Sequence, residues 1–212
     1  MLHVYPLSSI PTAPLLSALS CCNAPFSKSM LYETLTETKV LDPDKRNSLF
    51  RELRGEDAQP LFNHIETHVL ANIPGNTRFS LVRNDATHIK YEEGGFFKSH
   101  KDYCSVESPC IIEYTMIISL AEDRNGNAVL GGGTTITNNG IATTYDNTTT
   151  PGGGLLFRKD LEHAGEVLVS GEKEVLTFNI WAFTGQDSAG VVHITFGEGD
   201  EAETGNEDDT AT

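Results

Sequence analysis

Two segments in the second half of the chain alternate between apolar and other side chains. The apolar positions of the first are Ile112, Tyr114, Met116, Ile118 and Leu120, and those of the second are Leu176, Phe178, Ile180 and Ala182. A period of two puts successive side chains on opposite faces of an extended chain. Both segments are therefore predicted to be strands with one face in a core. Glycine runs at 131–133 and 152–154 indicate turns between such strands.

The first third of the chain has patterns typical of helices. Residues 42–44 (Asp-Pro-Asp) resemble a helix start, residues 45–54 favour helix, and Gly55 ends it. A second helix is predicted over 61–72, with its apolar stripe at Phe62, Ile65, Val69 and Ile73. Helices followed by many short strands predict a mainly β fold, a sandwich or jelly roll backed by helices.

Composition and charge exclude several classes of protein. The 212 residues are 38% hydrophobic, an ordinary globular mixture for one domain, and the formal net charge is -15. Negative charge repels phosphate backbones, so we expect no nucleic-acid partner, although it favours a basic peptide as substrate. No apolar run approaches the ~20 residues of a membrane span. The N-terminus lacks the basic start of a signal peptide, so the expectation is a soluble intracellular or cytoplasmic protein.

A metal centre is the chemistry that three residues indicate. His100 and Asp102 are two positions apart, so in extended chain both side chains point the same way. His163, which precedes the last long predicted strand, is the best third ligand. Two histidines and one carboxylate leave open positions on an ion, as Fe(II) oxygenases require. The His-x-Asp triplet alone is weak, because a polar turn explains it equally well.

Other histidines and one lysine carry competing interpretations. His64 and His68 are four apart on a predicted helix and could share an ion, but a solvated helix face explains them better. His88 and His193 lie in apolar segments and are interpreted as structural. Lys173 is either a solvated lysine at a strand edge or a cation that receives the far carboxylate of a dicarboxylic acid.

Five ordered blocks between Thr87 and Trp181 resemble the prolyl 4-hydroxylase-like group of 2-oxoglutarate, Fe(II)-dependent dioxygenases. They are residues 89–102, with a tyrosine, glycines and aromatics before His-x-Asp; 114–120; the Gly-Gly-x-Thr turn at 131–136; 151–157; and 163–173. The resemblance implies a double-stranded β-helix, or jelly roll, with the metal at its mouth. It implies metal ligands at His100, Asp102 and His163, and co-substrate contacts at Lys173, Tyr91 and Thr115. Ser119, Thr177 and Asn179 depart from the family pattern.

The resemblance also implies the organisation and the reaction. Residues 1–77 would form a helical and connecting region packed on the barrel, 78–196 the oxygenase core, and 197–212 a disordered acidic tail. The implied enzyme uses Fe(II), 2-oxoglutarate and O2, with ascorbate as a candidate reductant, and forms succinate and CO2 while hydroxylating a C–H bond. A peptidyl proline or another protein side chain, a small molecule, and a non-catalytic metal-binding or interaction module remain as alternatives. The sequence leaves the oligomeric state open.

Overall fold

The computed structural model describes residues 3–33, 38–104, 110–120 and 129–183, and these form a mainly antiparallel β structure with two helices. The helices are α1 (Thr12–Leu19) and α2 (Gln59–His64), and α2 continues through a π turn (Ile65–Val69) and a 3-10 turn (Leu70–Asn72). Further 3-10 turns lie at Glu56–Ala58 and Asp146–Thr149. The strands are β1 (Val4–Leu7), β2 (Ser27–Lys28), β3 (Leu31–Glu33), β4 (Thr38–Val40), β5 (Arg46–Asn47), β6 (Leu49–Leu53), β7 (Arg78–Tyr91), β8 (Phe96–His100), β9 (Ile111–Ser119), β10 (Leu130–Gly131), β11 (Thr134–Asn138), β12 (Ile141–Tyr145), β13 (Gly154–Arg158), β14 (Glu162–Gly165), β15 (Leu168–Ser170) and β16 (Lys173–Phe183).

Two antiparallel sheets face each other and make the jelly roll. The larger sheet has seven strands in the order β1-β13-β9-β16-β7-β6-β2, and the smaller has five in the order β12-β11-β14-β8-β5. Ile136 of the small sheet packs with Leu155 and Phe157 of the large one, so an apolar core holds the sheets together. The pairs β10-β15 and β3-β4 lie outside the two sheets. The predicted fold class, a double-stranded β-helix with helical support, is confirmed.

The alternation seen in the sequence divides the large sheet into two differently used faces. On β9, Tyr114 and Met116 join a buried cluster with α1 and α2, including Leu15, Leu61 and Phe62. The intervening Thr115 and Ile117 line a cavity on the opposite face. Strand β16 repeats the arrangement, with Leu176 and Ile180 towards the helices and Lys173, Val175, Thr177 and Asn179 lining the cavity. Helix packing on one face thus leaves the other face for polar side chains.

The helix predicted over residues 45–54 is wrong. The backbone N–H of Asp44 donates to Asp42 Oδ1, so the Asp-Pro-Asp segment forms a local turn instead of a helix start. Residues 49–53 then form β6, which pairs with β7 from Leu49 opposite Lys90 to Leu53 opposite Ala86. Pairing with a long neighbouring strand satisfies the backbone, and this tertiary gain outweighs a weak helical propensity. The second predicted helix, over 61–72, is confirmed.

The N-terminal region contributes strands as well as helices. Strand β1 pairs with β13, and β6 pairs with β7, so both belong to the seven-stranded sheet. The domain boundary at residues 77/78 stays a prediction. His193 and the acidic tail at 197–212 lie outside the described residues. The four cysteines are free thiols. Among the described helices, none is long and apolar enough to cross a bilayer.

Candidate metal centre

The neighbouring strands β8 and β14 bring together residues that are 63 positions apart in the chain. His163 of β14 lies directly opposite His100 of β8. Asp102 follows β8, and its backbone N–H donates to the carbonyl of Lys159 at 3.2 Å, which holds the carboxylate beside the two imidazoles. One ligand atom from each of the three residues lies within 4.8 Å of the other two. The structure therefore brings together the three metal ligands predicted from the sequence, although their role as ligands stays a prediction.

The donor atoms of the cluster face a common point. His100 Nε2 lies 3.6 Å from Asp102 Oδ1, and His163 Nε2 lies 3.7 Å from Asp102 Oδ2. An octahedral ion with ligands at about 2.1 Å separates adjacent ligand atoms by about 3 Å. The two histidine–aspartate distances exceed that spacing by less than 1 Å, so a small inward movement of these side chains brings them to ligand spacing. Two imidazoles and one carboxylate are the donor set of non-haem Fe(II) sites, so the residues fit such an ion.

Hydrogen bonds to backbone carbonyls hold both imidazoles in the orientation that ligation requires. His100 Nδ1 lies 2.8 Å from the carbonyl of Lys98, and His163 Nδ1 lies 3.1 Å from the carbonyl of Leu161. A carbonyl only accepts, so each Nδ1 carries the proton and each Nε2 presents its lone pair. Burial lowers the pKa of His163, although the nearby Asp102 opposes this, and the ring is therefore neutral at physiological pH.

Asp102 is held in its ionised form. Burial opposes its ionisation, but the contacts with His100, His163 and Thr115 outweigh burial and lower its pKa well below the ordinary value. The hydroxyl of Thr115 donates to Asp102 Oδ2 at 2.5 Å. Thr115 was predicted as a co-substrate contact; it lines the cavity, and its observed partner is the carboxylate. A fixed, negatively charged carboxylate is ready to bind a cation without prior loss of a proton.

Lys173 is a buried ammonium group that lines the same cavity. Its side chain is 4% exposed, and Nζ donates to the carbonyl of Gly132 at 2.5 Å. Gly132 has φ of +71°, a conformation that favours glycine and turns this carbonyl towards the lysine. Nζ also lies 5.5 Å from the ring centroid of Tyr91, opposite Lys173 in the strand register. Burial lowers the pKa of Lys173 to about 8. No carboxylate of the described residues forms an ion pair with it, so the cation is available to an anionic ligand.

A cavity of about 420 Å³ connects these groups. Its lining includes all six residues predicted as site residues: His100, Asp102, His163, Lys173, Tyr91 and Thr115. Of the three departures from the family pattern, Thr177 and Asn179 line the cavity. Ser119 is fully buried in β9. The burial of Lys173 excludes its interpretation as a solvated lysine at a strand edge.

Two basic residues of the cavity were missed in the sequence. Lys159 is buried, and its Nζ lies 3.9 Å from Glu113 Oε2 and 3.3 Å from the carbonyl of Tyr103. Arg46 lies in β5, opposite Phe97 of β8. Neither belongs to a motif, and strand pairing alone brings Arg46 beside the cluster.

The competing histidines do not form a second cluster among the described residues. The rings of His64 and His68 lie 4.8 Å apart on the helix. Within the described part of the chain no third donor joins this pair, and the cluster of three donors that could hold a metal ion is His100, Asp102 and His163. His88 is buried and lies 2.9 Å from Glu174 Oε2. Its Nδ1 accepts a hydrogen bond from Arg51, in agreement with a structural role.

Fold and cluster together define a double-stranded β-helix with a candidate metal centre in its mouth. No family model matches the sequence, and no curated protein matches it. Among solved structures, the chain is similar to an oxidoreductase of the 2OG-Fe(II) oxygenase family from Burkholderia pseudomallei, at 12% identity over 84% of each chain and a TM-score of 0.57.

Two prolyl hydroxylases have a similar fold. One is from Trichoplax adhaerens, in complex with a peptide fragment of the hypoxia-inducible factor oxygen degradation domain, at 16% identity over 85% of this chain and 83% of that one, with a TM-score of 0.58. The other is a prolyl-4-hydroxylase from Pseudomonas putida, at 12% identity over 86% and 93%, with a TM-score of 0.50. The resemblance seen in the sequence is thus confirmed at the level of the fold.

Proposed function

We propose that this chain is a 2-oxoglutarate- and Fe(II)-dependent dioxygenase that hydroxylates an unactivated C–H bond, with a peptidyl proline as the leading substrate. The observation that supports it most is the convergence of His100, Asp102 and His163 in a cavity that also contains the buried cation of Lys173. A metal site alone would suit many proteins. A metal site with a second, buried positive charge suits a chelating dicarboxylate.

The residues of the chain have distinct roles in this proposal. His100, Asp102 and His163 would hold Fe(II), and a set of three protein ligands would leave positions on the ion open to co-substrate and O2. When bound, the iron and 2-oxoglutarate supply the oxidising chemistry, in which O2 converts 2-oxoglutarate to succinate and CO2 and the substrate to its hydroxylated product. Lys173 binds the C5 carboxylate in exchange for its bond to the carbonyl of Gly132. Tyr91 packs beside this pair.

The aromatic neighbours of the cluster limit its freedom and its access to water. Phe97 stacks on His100 with a centroid distance of 3.6 Å, and the ring of Phe157 lies 4.7 Å from His163. These contacts hold the imidazoles in place when co-substrate enters. Aromatic rings beside the cluster also reduce its contact with water, which strengthens the contacts with charged ligands.

The choice of a peptide substrate is supported by the fold neighbours. Two of the similar solved structures are prolyl hydroxylases, and one of these is in complex with a peptide. The same chemistry on a small molecule is the alternative, and a cavity of about 420 Å³ is large enough for either a small acid or a single residue of a peptide.

The test is production of succinate from 2-oxoglutarate by purified protein. Succinate should form only when Fe(II) and O2 are both present, with ascorbate added to keep iron reduced. His163→Ala should abolish it, because a required ligand is lost, whereas His68→Ala, an exposed histidine outside the cavity, should leave it intact. Equal activity without iron, or in His163→Ala, would rule out the proposal.

A further inference from the structure

Arg46 adds a third positive charge to the lining of the cavity. Arg46 is half-buried and lines the cavity together with Met30 and Tyr103, which are 46% and 73% exposed and therefore belong to its mouth. Lys173, by contrast, is almost fully buried. The two cations differ in exposure and in their contacts, because Arg46 packs on Phe97 and Lys173 packs beside Tyr91.

The guanidinium of Arg46 is held in a fixed position. Its central carbon lies 4.4 Å from the ring centroid of Phe97, and its Nε donates to Ser48 Oγ at 3.0 Å. Ser48 Oγ in turn lies 2.7 Å from Ser29 Oγ, and both serines are buried. The stacking and the hydrogen bond at Nε leave the two terminal nitrogens as a fork. A pre-positioned fork of this kind matches the two oxygens of a carboxylate.

This fork has no acidic partner among the residues that the structure describes. The other two bases of the cavity are occupied differently, because Lys159 faces Glu113 and Lys173 donates to Gly132. The chain as a whole carries a net charge of -15, so an arginine in this cavity that lacks a carboxylate partner is unexpected. A half-desolvated cation in this position favours an anionic ligand.

Phe97 links Arg46 to the candidate metal centre. The ring of Phe97 contacts the guanidinium of Arg46 and also stacks on His100 at 3.6 Å. An anion at Arg46 is therefore one aromatic ring away from a metal ligand. A ligand that reaches from Arg46 to the centre spans about one or two residues of extended chain.

We propose that Arg46 binds a carboxylate of the primary substrate, so that the oxidised carbon belongs to an acid. This rests on the proposed function and extends it to the substrate class. The carboxylate belongs either to a free amino acid or to an acidic side chain beside the oxidised residue of a peptide. The local cation at the mouth selects acids even though the overall negative charge of the chain favours basic peptides in general.

Matched acid and amide probes test the proposal by direct binding, independently of turnover. L-proline is compared with L-prolinamide, and an end-blocked peptide Ala-Ala-Pro-Asp-Ala-Ala with its Asn counterpart, by calorimetric titration under anaerobic conditions with Fe(II) and 2-oxoglutarate. In the wild type at least one acid should bind about ten- to a hundredfold more tightly than its amide, the effect of one charged hydrogen-bonded pair. Which pair responds distinguishes a free acid from a peptide.

Arg46→Gln should abolish the difference between acid and amide and leave 2-oxoglutarate affinity unchanged. The matched control is Arg78→Gln, because Arg78 also stacks on a phenylalanine, Phe183 at 5.5 Å, but does not line the cavity. This control should retain the difference. Equal binding of acids and amides to the wild type, a difference that persists in Arg46→Gln, or weakened 2-oxoglutarate binding in that variant overturns the proposal. Succinate production by the same wild-type preparation reports separately on the proposed function.

Discussion

Replacement of Lys173 by methionine should weaken co-substrate binding without weakening the fold. The two side chains have similar length and shape, so the cavity keeps its form while the charge is lost. Lys173 is 4% exposed, and in the described part of the chain its ammonium has a backbone carbonyl as partner and no carboxylate. The charge therefore lowers the stability of the free protein and raises its affinity for 2-oxoglutarate.

Both magnitudes can be estimated from the structure. Burial lowers the pKa of Lys173 from 10.5 to about 8, and at about 1.4 kcal/mol per unit the charged form costs roughly 3 kcal/mol. Loss of the donor to Gly132 costs about 1–3 kcal/mol, so the variant should be between unchanged and ~2 kcal/mol more stable. In the complex, a buried carboxylate without its cation costs about 3–5 kcal/mol, or roughly two to four powers of ten in affinity.

The assay combines urea denaturation with anaerobic titration of 2-oxoglutarate in the presence of Fe(II). Lys173→Arg is the control, because it keeps the positive charge and should keep most of the affinity. A methionine variant that unfolds more easily and still binds 2-oxoglutarate as the wild type does would refute the reasoning, since Lys173 would then be a structural residue.

Three further predictions follow from individual contacts. Affinity for 2-oxoglutarate should fall about tenfold between pH 7 and pH 9, because Lys173 loses its proton above its pKa of about 8; titration at each pH should show no such fall in Lys173→Arg. Thr115→Val should lower metal affinity about 10–100-fold, because Asp102 loses its hydrogen bond; unchanged Fe(II) affinity by anaerobic titration would contradict this. Burial lowers the pKa of His88, so the folded state favours the neutral ring and stability is lost as pH falls through the unfolded value of about 6.5. Thermal denaturation between pH 7.5 and 5 should show a smaller loss for His88→Gln, and equal losses would argue against it.

The residues of the site were predictable because they belong to motifs or to strong alternation. The period of two on β9 puts Thr115 and Ile117 on the face opposite the apolar core, and both line the cavity, whereas the assignment of Lys173 to the site depends on the resemblance. His100 and Asp102 are close in sequence, and His163 precedes the strand that carries Lys173. A local pattern of this kind predicts the structure correctly, because alternate residues of each strand face the helices on one side and the cavity on the other.

Features that depend on pairing between distant strands were not predictable. Residues 49–53 form β6 because β7 offers a long partner, which a local helical propensity does not reveal. Arg46 reaches the cavity only because β5 pairs with β8. The role of Thr115 as a partner of Asp102 also depends on the approach of two strands that the sequence leaves unordered.

The central claim is that one ion and one 2-oxoglutarate molecule bind together between His100, Asp102, His163 and Lys173. Its most direct test is the visible absorption of the protein when Fe(II) and 2-oxoglutarate are added without oxygen. We predict a charge-transfer band that requires both additions, saturates at a single iron per chain, and is absent from His163→Ala. The absence of a band in the wild type, or an unchanged band in His163→Ala, would contradict the claim.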